Sequence, residues 1–321
     1  MLQTILAVGS FVFGLVILVY GADLLVKGSS SIAKKAGLSP LFIGLTIVAF
    51  GTSLPELVVN LFASFKGSND IAIGNVLGSN ISNILLILGI AAIIYPLSVR
   101  KSTVAKEVPF SLLAIVVLYI LVNDFIIDGL NQSILSRGDG LILLAFFLIF
   151  LYYTFSISKN SEAKEQEIKT YKHWLSTGLV LGGMIGLVVG GNMMTDGAVN
   201  LARYLGVSEA LIGLTVVAIG TSLPELAASA VAAYRHHSDI AIGNIIGSNI
   251  FNIFWILGLS AVIRPLSFSV QMNSDIIILA FITILLLFFM FAGKRNILQR
   301  WQGSAMVSLY VIYIIYLIYQ G

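Results

Sequence analysis

Apolar runs of about 20 residues recur along the whole chain and constrain its fold more than any other feature. Polar breaks separate ten of them, at 3–22, 41–65, 71–96, 106–123, 139–158, 174–199, 209–233, 240–263, 274–293 and 301–319. A helix of about 20 apolar residues crosses roughly 30 Å of hydrocarbon. Only 10% of the 321 residues are charged, whereas soluble domains carry about 25%. The runs do not alternate as barrel strands would. The sequence therefore predicts an all-α membrane protein with ten transmembrane helices.

The basic residues predict how the chain is oriented in the membrane. If the N-terminus lies outside, 14 of the 18 Lys and Arg fall in inside loops and four fall in outside loops. Cytoplasmic loops carry an excess of Lys and Arg. We therefore expect both termini to lie outside. The count of ten agrees with this split, since a missed span would reverse every later loop.

An internal repeat divides the chain into two halves. A shift of 169 residues aligns 43–98 with 212–267 without a gap, and 34 of the 56 positions are identical. We expect 1–158 and 174–321 to form one five-helix repeat each, joined by a cytoplasmic linker at 159–173. Because five is odd, the second repeat enters the membrane from the opposite side, which is the inverted-topology arrangement of many secondary transporters.

The strongest identity lies in two copies of the sequence GTSLPE, at 51–56 and 220–225. Proline removes a backbone N–H and disfavours a continuous helix, so each copy predicts a break that frees nearby carbonyl oxygens. Such groups are tolerated at membrane depth only where protein, water or a cavity satisfies them. Hydroxyls and one carboxylate accompany each break. The residues concerned are Ala49, Thr52, Ser53 and Glu56, and then Ala218, Thr221, Ser222 and Glu225.

A second repeated motif, GNxxGSNxxN, follows each GTSLPE. Spacing by four places its first Asn, its Ser and its last Asn on one helix face. A polar stripe within a span faces protein or water and not lipid. We assign Ser79, Asn83, Ser248 and Asn252 to the same site as the glutamates. Asn75 and Asn244 fit either the site or plain hydrogen bonding between helices.

All these candidate ligands are oxygen donors, which hard cations prefer. Two buried glutamates in one site are neutralised by one Ca²⁺, by Na⁺ ions or by protons. A site that holds either Ca²⁺ or monovalent ions, but not both, provides a mechanism for exchange. Oxygen ligands of this kind also suit a cation channel, although inverted repeats with broken helices favour a transporter. No catalytic constellation is present, so we do not expect an enzyme or catalytic residues.

The paired motifs resemble the two alpha-repeats of the calcium/cation antiporter superfamily, which includes the prokaryotic sodium/calcium exchangers. The resemblance covers essentially the whole chain. It implies that the first and sixth helices slide past an eight-helix core during alternating access. It also implies a Ca²⁺ site formed by Glu56, Glu225 and the carbonyls of Thr52 and Thr221. The flanking Na⁺ sites would be formed by Ser79 with Ala49 and Ser248 with Ala218, and Asn83 and Asn252 would line the centre.

The resemblance implies an antiporter that exchanges Ca²⁺ for Na⁺ and acts in the plasma (inner) membrane of a prokaryote. Some members of the superfamily carry an aspartate at one of two equivalent positions, whereas this chain has Asn83 and Asn252 there. The site therefore holds at most the two negative charges of the glutamates, which two protons balance as well as one Ca²⁺, so an H⁺/Ca²⁺ antiporter is the alternative. We expect no cofactor and no nucleic-acid partner. We expect Ca²⁺ and Na⁺ as substrates, the lipid bilayer as surroundings, and a functional monomer.

Overall fold

The computed structural model describes residues 2–320 except 100, 102, 128, 130–131, 159–168, 206–217 and 293–295. Helices dominate this part of the chain. They are α1 Leu2–Ala36, α2 Pro40–Thr52, α3 Leu54–Lys66, α4 Asn69–Ile94, α5 Thr103–Leu121, α6 Arg137–Ile157, α7 His173–Tyr204, α8 Ala218–Thr221, α9 Leu223–Tyr234, α10 Ser238–Ile263, α11 Val270–Phe291 and α12 Arg300–Gln320. A single helical turn, Asp124–Ile127, follows α5. Most of the expected linker and the start of the expected seventh span lie outside the described residues.

Seven of these helices are long and apolar enough to cross a membrane. The pair α2 and α3 forms an eighth candidate, since the two are separated at Ser53 and bent by 48°. The break predicted in the first GTSLPE is confirmed. Pro55 occupies the first turn of α3, where its missing N–H costs no hydrogen bond within that helix.

Two helices form the centre of the molecule. In the most apolar stretches of α4 and α10, 72% and 83% of the residues are buried, against 28–39% in the other spans. Each contains a π-helical segment, Asn83–Leu88 in α4 and Phe251–Leu257 in α10. Extra residues of this kind in a helix often occur at functional sites. The second polar motif of each repeat therefore lies on the most deeply buried helices.

The long helices α1 and α7 pack against each other through glycines. A Cβ on Gly21 would lie 2.8 Å from the backbone of Gly186 and Leu187. A Cβ on Gly183 would lie 2.6 Å from the backbone nitrogen of Leu25. The two backbones therefore approach closely because small residues occupy the contact. The helix α1 also extends to Ala36, well beyond the 3–22 expected from hydropathy, and so carries Asp23 and Lys27 on its polar end.

Two short strand pairs connect the chain halves. Strand β1 Leu97–Ser98 pairs with β4 Ile297–Leu298, and strand β2 Ser133–Leu135 pairs with β3 Leu266–Phe268. Both pairs are antiparallel. Each therefore joins a residue before 159 to a residue after 173. The strands β1 and β3 occupy equivalent places in the sequence repeat, so the two connections are reciprocal.

Candidate cation site

The two helix breaks place the glutamates at the starts of helices inside the protein. Glu56 lies in the first turn of α3 and Glu225 in the first turn of α9. Both side chains are buried, with 1% and 0% of their surface exposed. The backbone N–H groups and the positive end of the helix dipole stabilise an anion at such a position. The sequence thus puts a carboxylate where the local backbone lowers the cost of its burial.

Serines from one repeat bond to the glutamate of the other. The hydroxyl of Ser53 donates to Glu225 Oε1 at 3.1 Å, and it also contacts Ser248 Oγ at 3.0 Å. The hydroxyl of Ser222 donates to Glu56 Oε1 at 3.4 Å, and it contacts Ser79 Oγ at 3.3 Å. These contacts exchange with each other under the 169-residue shift. They bring the two GTSLPE motifs and the two motif serines into one buried cluster.

The last asparagines of the second motifs lie one helical turn beyond the motif serines of this cluster, and a reciprocal pair of bonds holds them. Asn83 Nδ2 donates to Asn249 Oδ1 at 3.0 Å, and Asn252 Nδ2 donates to Asn80 Oδ1 at 2.9 Å. All four side chains are buried. Because each Nδ2 is held by the opposite helix, the amides of Asn83 and Asn252 have a fixed orientation.

Four oxygen atoms of this cluster accept no hydrogen bond from the described protein. They are Glu56 Oε2, Glu225 Oε2, Asn83 Oδ1 and Asn252 Oδ1. An unsatisfied buried polar atom costs about 1–3 kcal/mol, more if charged. Four acceptors of this kind, and two carboxylates among them, suit a desolvated hard cation. Among the described residues, no three His, Cys, Asp or Glu side chains group together, so two carboxylates set the charge of this cluster.

The remaining predicted ligands precede the two glutamates in the chain. Thr52 is buried, and its hydroxyl donates to Asn244 Oδ1 at 3.0 Å and to the Ala49 carbonyl at 3.3 Å. The Ala49 carbonyl also accepts the Ser53 backbone N–H at 3.0 Å, so the break does not leave it free. Thr221 is partly buried at the end of α8. Ala218 begins that helix.

The sequence interpretation missed two contributors. Asn80 and its equivalent Asn249 are one residue beyond the motif serines, and the polar stripe at spacing four excludes them. They nevertheless orient Asn83 and Asn252. Asn244 also acts between the repeats, since it accepts from Thr52 and its Nδ2 donates to Ser229 Oγ at 3.0 Å. Repetition is the only sequence signal for the role of Asn80 and Asn249, whereas hydrogen bonding between helices is one of the two roles that the sequence predicts for Asn244.

Comparison with known proteins now identifies the family. A family model described as sodium/calcium exchanger protein matches residues 6–156 and 175–319. The chain belongs to this family. The chain is 37% identical over 308 residues to the putative antiporter CaxA of Alkalimonas amylolytica, which covers 93% of this chain and 94% of that protein. The sodium/calcium exchanger MaX1 of Methanosarcina acetivorans is 32% identical, with 93% and 94% coverage.

A solved structure of the sodium-calcium exchanger NCX_Mj, soaked with Na⁺ and Sr²⁺, has a similar fold. Its TM-score is 0.82 at 37% identity, and the match covers 97% of this chain and 98% of that chain. The sodium/calcium exchanger family consists of transporters and not of enzymes. The chain is accordingly an integral membrane protein of a calcium/cation antiporter family, with relatives in prokaryotes.

Proposed function

We propose that this chain exchanges Ca²⁺ for Na⁺ across a membrane, with both ions bound at the cluster around Glu56 and Glu225. The observation that carries the proposal is the set of four buried oxygens that accept no hydrogen bond from the described residues, two from carboxylates and two from amides. Because they occur in reciprocal pairs, a cation between them is contacted by both repeats. The ligands we propose are Glu56, Glu225, Thr52, Thr221, Ser53, Ser222, Ser79, Ser248, Asn83, Asn252, Ala49 and Ala218.

The charge of the site provides the exchange mechanism. Two carboxylates balance one Ca²⁺, and the same carboxylates attract Na⁺ when Ca²⁺ leaves. Hydroxyl and amide oxygens complete the coordination of either ion. Since Ca²⁺ and Na⁺ compete for Glu56 and Glu225, the loaded site holds one kind of ion at a time. Movement of the protein that exposes the loaded site to one face of the membrane and then to the other couples the two fluxes.

The proposed topology supplies such a movement. We propose ten transmembrane helices in two inverted five-helix repeats, 1–158 and 174–321, with 159–173 as a cytoplasmic linker and both termini outside. The reciprocal strand pairs and the reciprocal serine contacts support a two-fold relation between the repeats. Inverted repeats permit alternating access around a midplane site. The proposed location is a prokaryotic plasma membrane, where the protein functions as a monomer.

The alternative is exchange of Ca²⁺ for H⁺. It is favoured by the two amides at Asn83 and Asn252, because a site with two carboxylates is neutralised by two protons as well as by one Ca²⁺. Three Na⁺ in the same site would leave an excess positive charge. A cation channel is the third candidate.

Uptake of radioactive Ca²⁺ into proteoliposomes separates these functions. Vesicles loaded with Na⁺ are compared with vesicles that carry only a pH gradient. We expect uptake that requires internal Na⁺. Uptake driven by the pH gradient without Na⁺ would replace the proposal by Ca²⁺/H⁺ exchange. Single-channel conductance, far above the turnover of a transporter, would contradict both.

A further inference from the structure

The buried face of α3 remains polar for two turns beyond Glu56. Asn60 and Ser64 follow at four and eight residues, both fully buried, so they share the face of Glu56. The helix α3 packs against the second part of α10, Phe251–Ile263. That part carries Ser260, which is also buried. We call Asn60, Ser64 and Ser260 the α3 seam.

None of the side-chain polar atoms of the α3 seam has a hydrogen-bond partner in the part of the chain that the structure describes. These atoms are Asn60 Oδ1 and Nδ2, Ser64 Oγ and Ser260 Oγ. Each such atom costs about 1–3 kcal/mol when it is buried without a partner. Buried waters typically satisfy groups of this kind, each through two to four bonds. These side chains are fully closed off in this conformation, so waters reach the run of donors and acceptors only when α3 and α10 separate slightly.

The second repeat contains a matched contact without these features. The 169-residue shift replaces Asn60 by Ser229, Ser64 by Ala233 and Ser260 by Ala91. Ser229 Oγ accepts a hydrogen bond from Asn244 Nδ2 at 3.0 Å. Both alanines are buried, and their side chains carry no polar atom. The helix α9 packs here against Gly89–Ile94 of α4. We call Ser229, Ala233 and Ala91 the α9 seam, and its one polar side chain has a hydrogen-bond partner.

The two seams also differ at their outer ends. Residues 67–71, which follow α3, and 267–269, which follow α10, line a cavity of about 480 Å³. Arg264 lies at this end and donates to the carbonyl of Phe65 at 3.1 Å. The α9 seam ends instead at an aromatic stack, in which Tyr95 and His236 have ring centroids 4.2 Å apart.

We propose that the α3 seam binds a chain of water molecules that connects this cavity to Glu56, while the α9 seam is dry. The proposal rests on the proposed function for its role, since it gives one of the two site glutamates an aqueous contact that its equivalent lacks. At about 1.5 Å of rise per residue, Glu56 and Ser64 are about 12 Å apart. Asn60 and Ser64 divide this distance into steps of one helical turn, and the segment of α10 that packs against α3 adds Ser260.

The charge at the outer end limits what uses this route. The guanidinium of Arg264 lies at the end of α3 and repels metal cations, and Asp70, which lines the cavity, partly offsets this charge. Water carries no net charge, so the α3 seam hydrates Glu56 without offering Ca²⁺ a favourable path. It follows that the two glutamates are hydrated unequally, although their immediate ligands are equivalent.

Single cysteines test the α3 seam directly, because the natural chain contains none. The variants are Ser64→Cys and Ser260→Cys, and the matched controls are Ala233→Cys and Ala91→Cys. A thiol reacts as its thiolate, which a dry apolar contact disfavours. A small neutral methanethiosulfonate should therefore modify the α3-seam cysteines about tenfold faster or more than the controls.

Equal rates in the two seams, or faster reaction of the controls, would overturn the proposal. Each variant is first checked by its elution volume in detergent. Either variant of a seam suffices if the other does not fold. A cationic reagent of the same size should react more slowly than the neutral one at Ser64→Cys, and the added substitution Arg264→Gln should reduce that difference. If Arg264→Gln leaves the difference in rate between the two reagents unchanged, Arg264 does not repel cations from the α3 seam. Labelling requires no ion exchange, so failure of Ca²⁺ uptake with the predicted labelling would contradict the proposed function alone.

Discussion

The contact between α1 and α7 yields a prediction whose size follows from the geometry. In Gly183→Ala, the added Cβ lies 2.6 Å from the nitrogen of Leu25 and 2.8 Å from the carbonyl oxygen of Gly21. Ordinary van der Waals contact begins near 3.4 Å, so the helices must separate by about 0.8 Å or bend. Both neighbours are backbone atoms, which cannot turn aside as a side chain does. Overpacking of this kind typically costs about 1–3 kcal/mol.

A matched control on the same helix isolates that cost. Gly178 is exposed, and apart from its own turn of helix no described atom lies within 4 Å of a Cβ built on it. Replacement of glycine by alanine within a helix itself stabilises by roughly 0.5–1 kcal/mol, and this gain is common to Gly178→Ala and Gly183→Ala. The difference between the two variants should therefore be about 1–3 kcal/mol, with Gly183→Ala the less stable.

Thermal unfolding of the purified protein in one detergent, followed by tryptophan fluorescence, gives this comparison. We expect Gly178→Ala to unfold at or above the temperature of the unmodified protein, and Gly183→Ala clearly below it. Equal unfolding temperatures for the two variants would refute the close approach of α1 and α7.

Three further predictions concern the site and the loops. Ser53→Ala removes a hydroxyl that donates to Glu225 Oε1 at 3.1 Å and should destabilise the protein in EGTA by roughly 1.5–3 kcal/mol, with Ca²⁺ restoring part of the loss. The control is Ser156→Ala, which removes an exposed hydroxyl bonded to the nearby carbonyl of Tyr153; equal stabilities of the two variants would contradict the contact. The partly exposed Asp23 accepts a hydrogen bond from Arg235 Nε at 2.6 Å, so Asp23→Asn should lower the free energy of unfolding by less than about 1 kcal/mol. Added salt should reduce this difference in stability between the variant and the unmodified protein; a difference unaffected by salt would argue against an ion pair. Burial, together with the nearby Arg235 and His236 charges, lowers the pKa of His237 from 6.5, so as the pH falls His237 is protonated in the unfolded chain before it is protonated in the folded protein. The stability of the protein should therefore decline below about pH 6.5 and decline less in His237→Gln. If stability depends on pH in the same way in both proteins, His237 is not a cause of the decline.

Local chemistry made part of this structure predictable. Pro55 and the apolar residues around Glu56 identified both the helix break and a buried carboxylate, because backbone groups and charge at membrane depth need partners. The 169-residue repeat made each feature of one half an expectation for the other.

Other features depend on how distant segments meet, which no local pattern records. The bond from Ser53 to Glu225 and the orienting role of Asn80 arise only when the two repeats are packed together. Hydropathy also ended the first helix at residue 22, because Asp23 and Lys27 look like loop residues. The helix continues to Ala36, since its polar end packs against the protein and contacts Arg235.

The central claim is that Glu56 and Glu225 together hold the transported Ca²⁺. Glu56→Gln and Glu225→Gln keep the shape and one oxygen of each side chain but remove its charge. A unit charge about 4 Å from another contributes about 4 kcal/mol near a protein surface, and each 1.4 kcal/mol is a factor of ten in affinity. A divalent ion that loses one of two such partners should therefore bind at least about 100-fold more weakly.

Uptake of radioactive Ca²⁺ into Na⁺-loaded proteoliposomes, with equal amounts of folded protein incorporated, tests this claim most directly. We predict that each single variant abolishes uptake at Ca²⁺ concentrations that saturate the unmodified protein. Full Ca²⁺ uptake by the folded Glu56→Gln and Glu225→Gln variants would contradict the account.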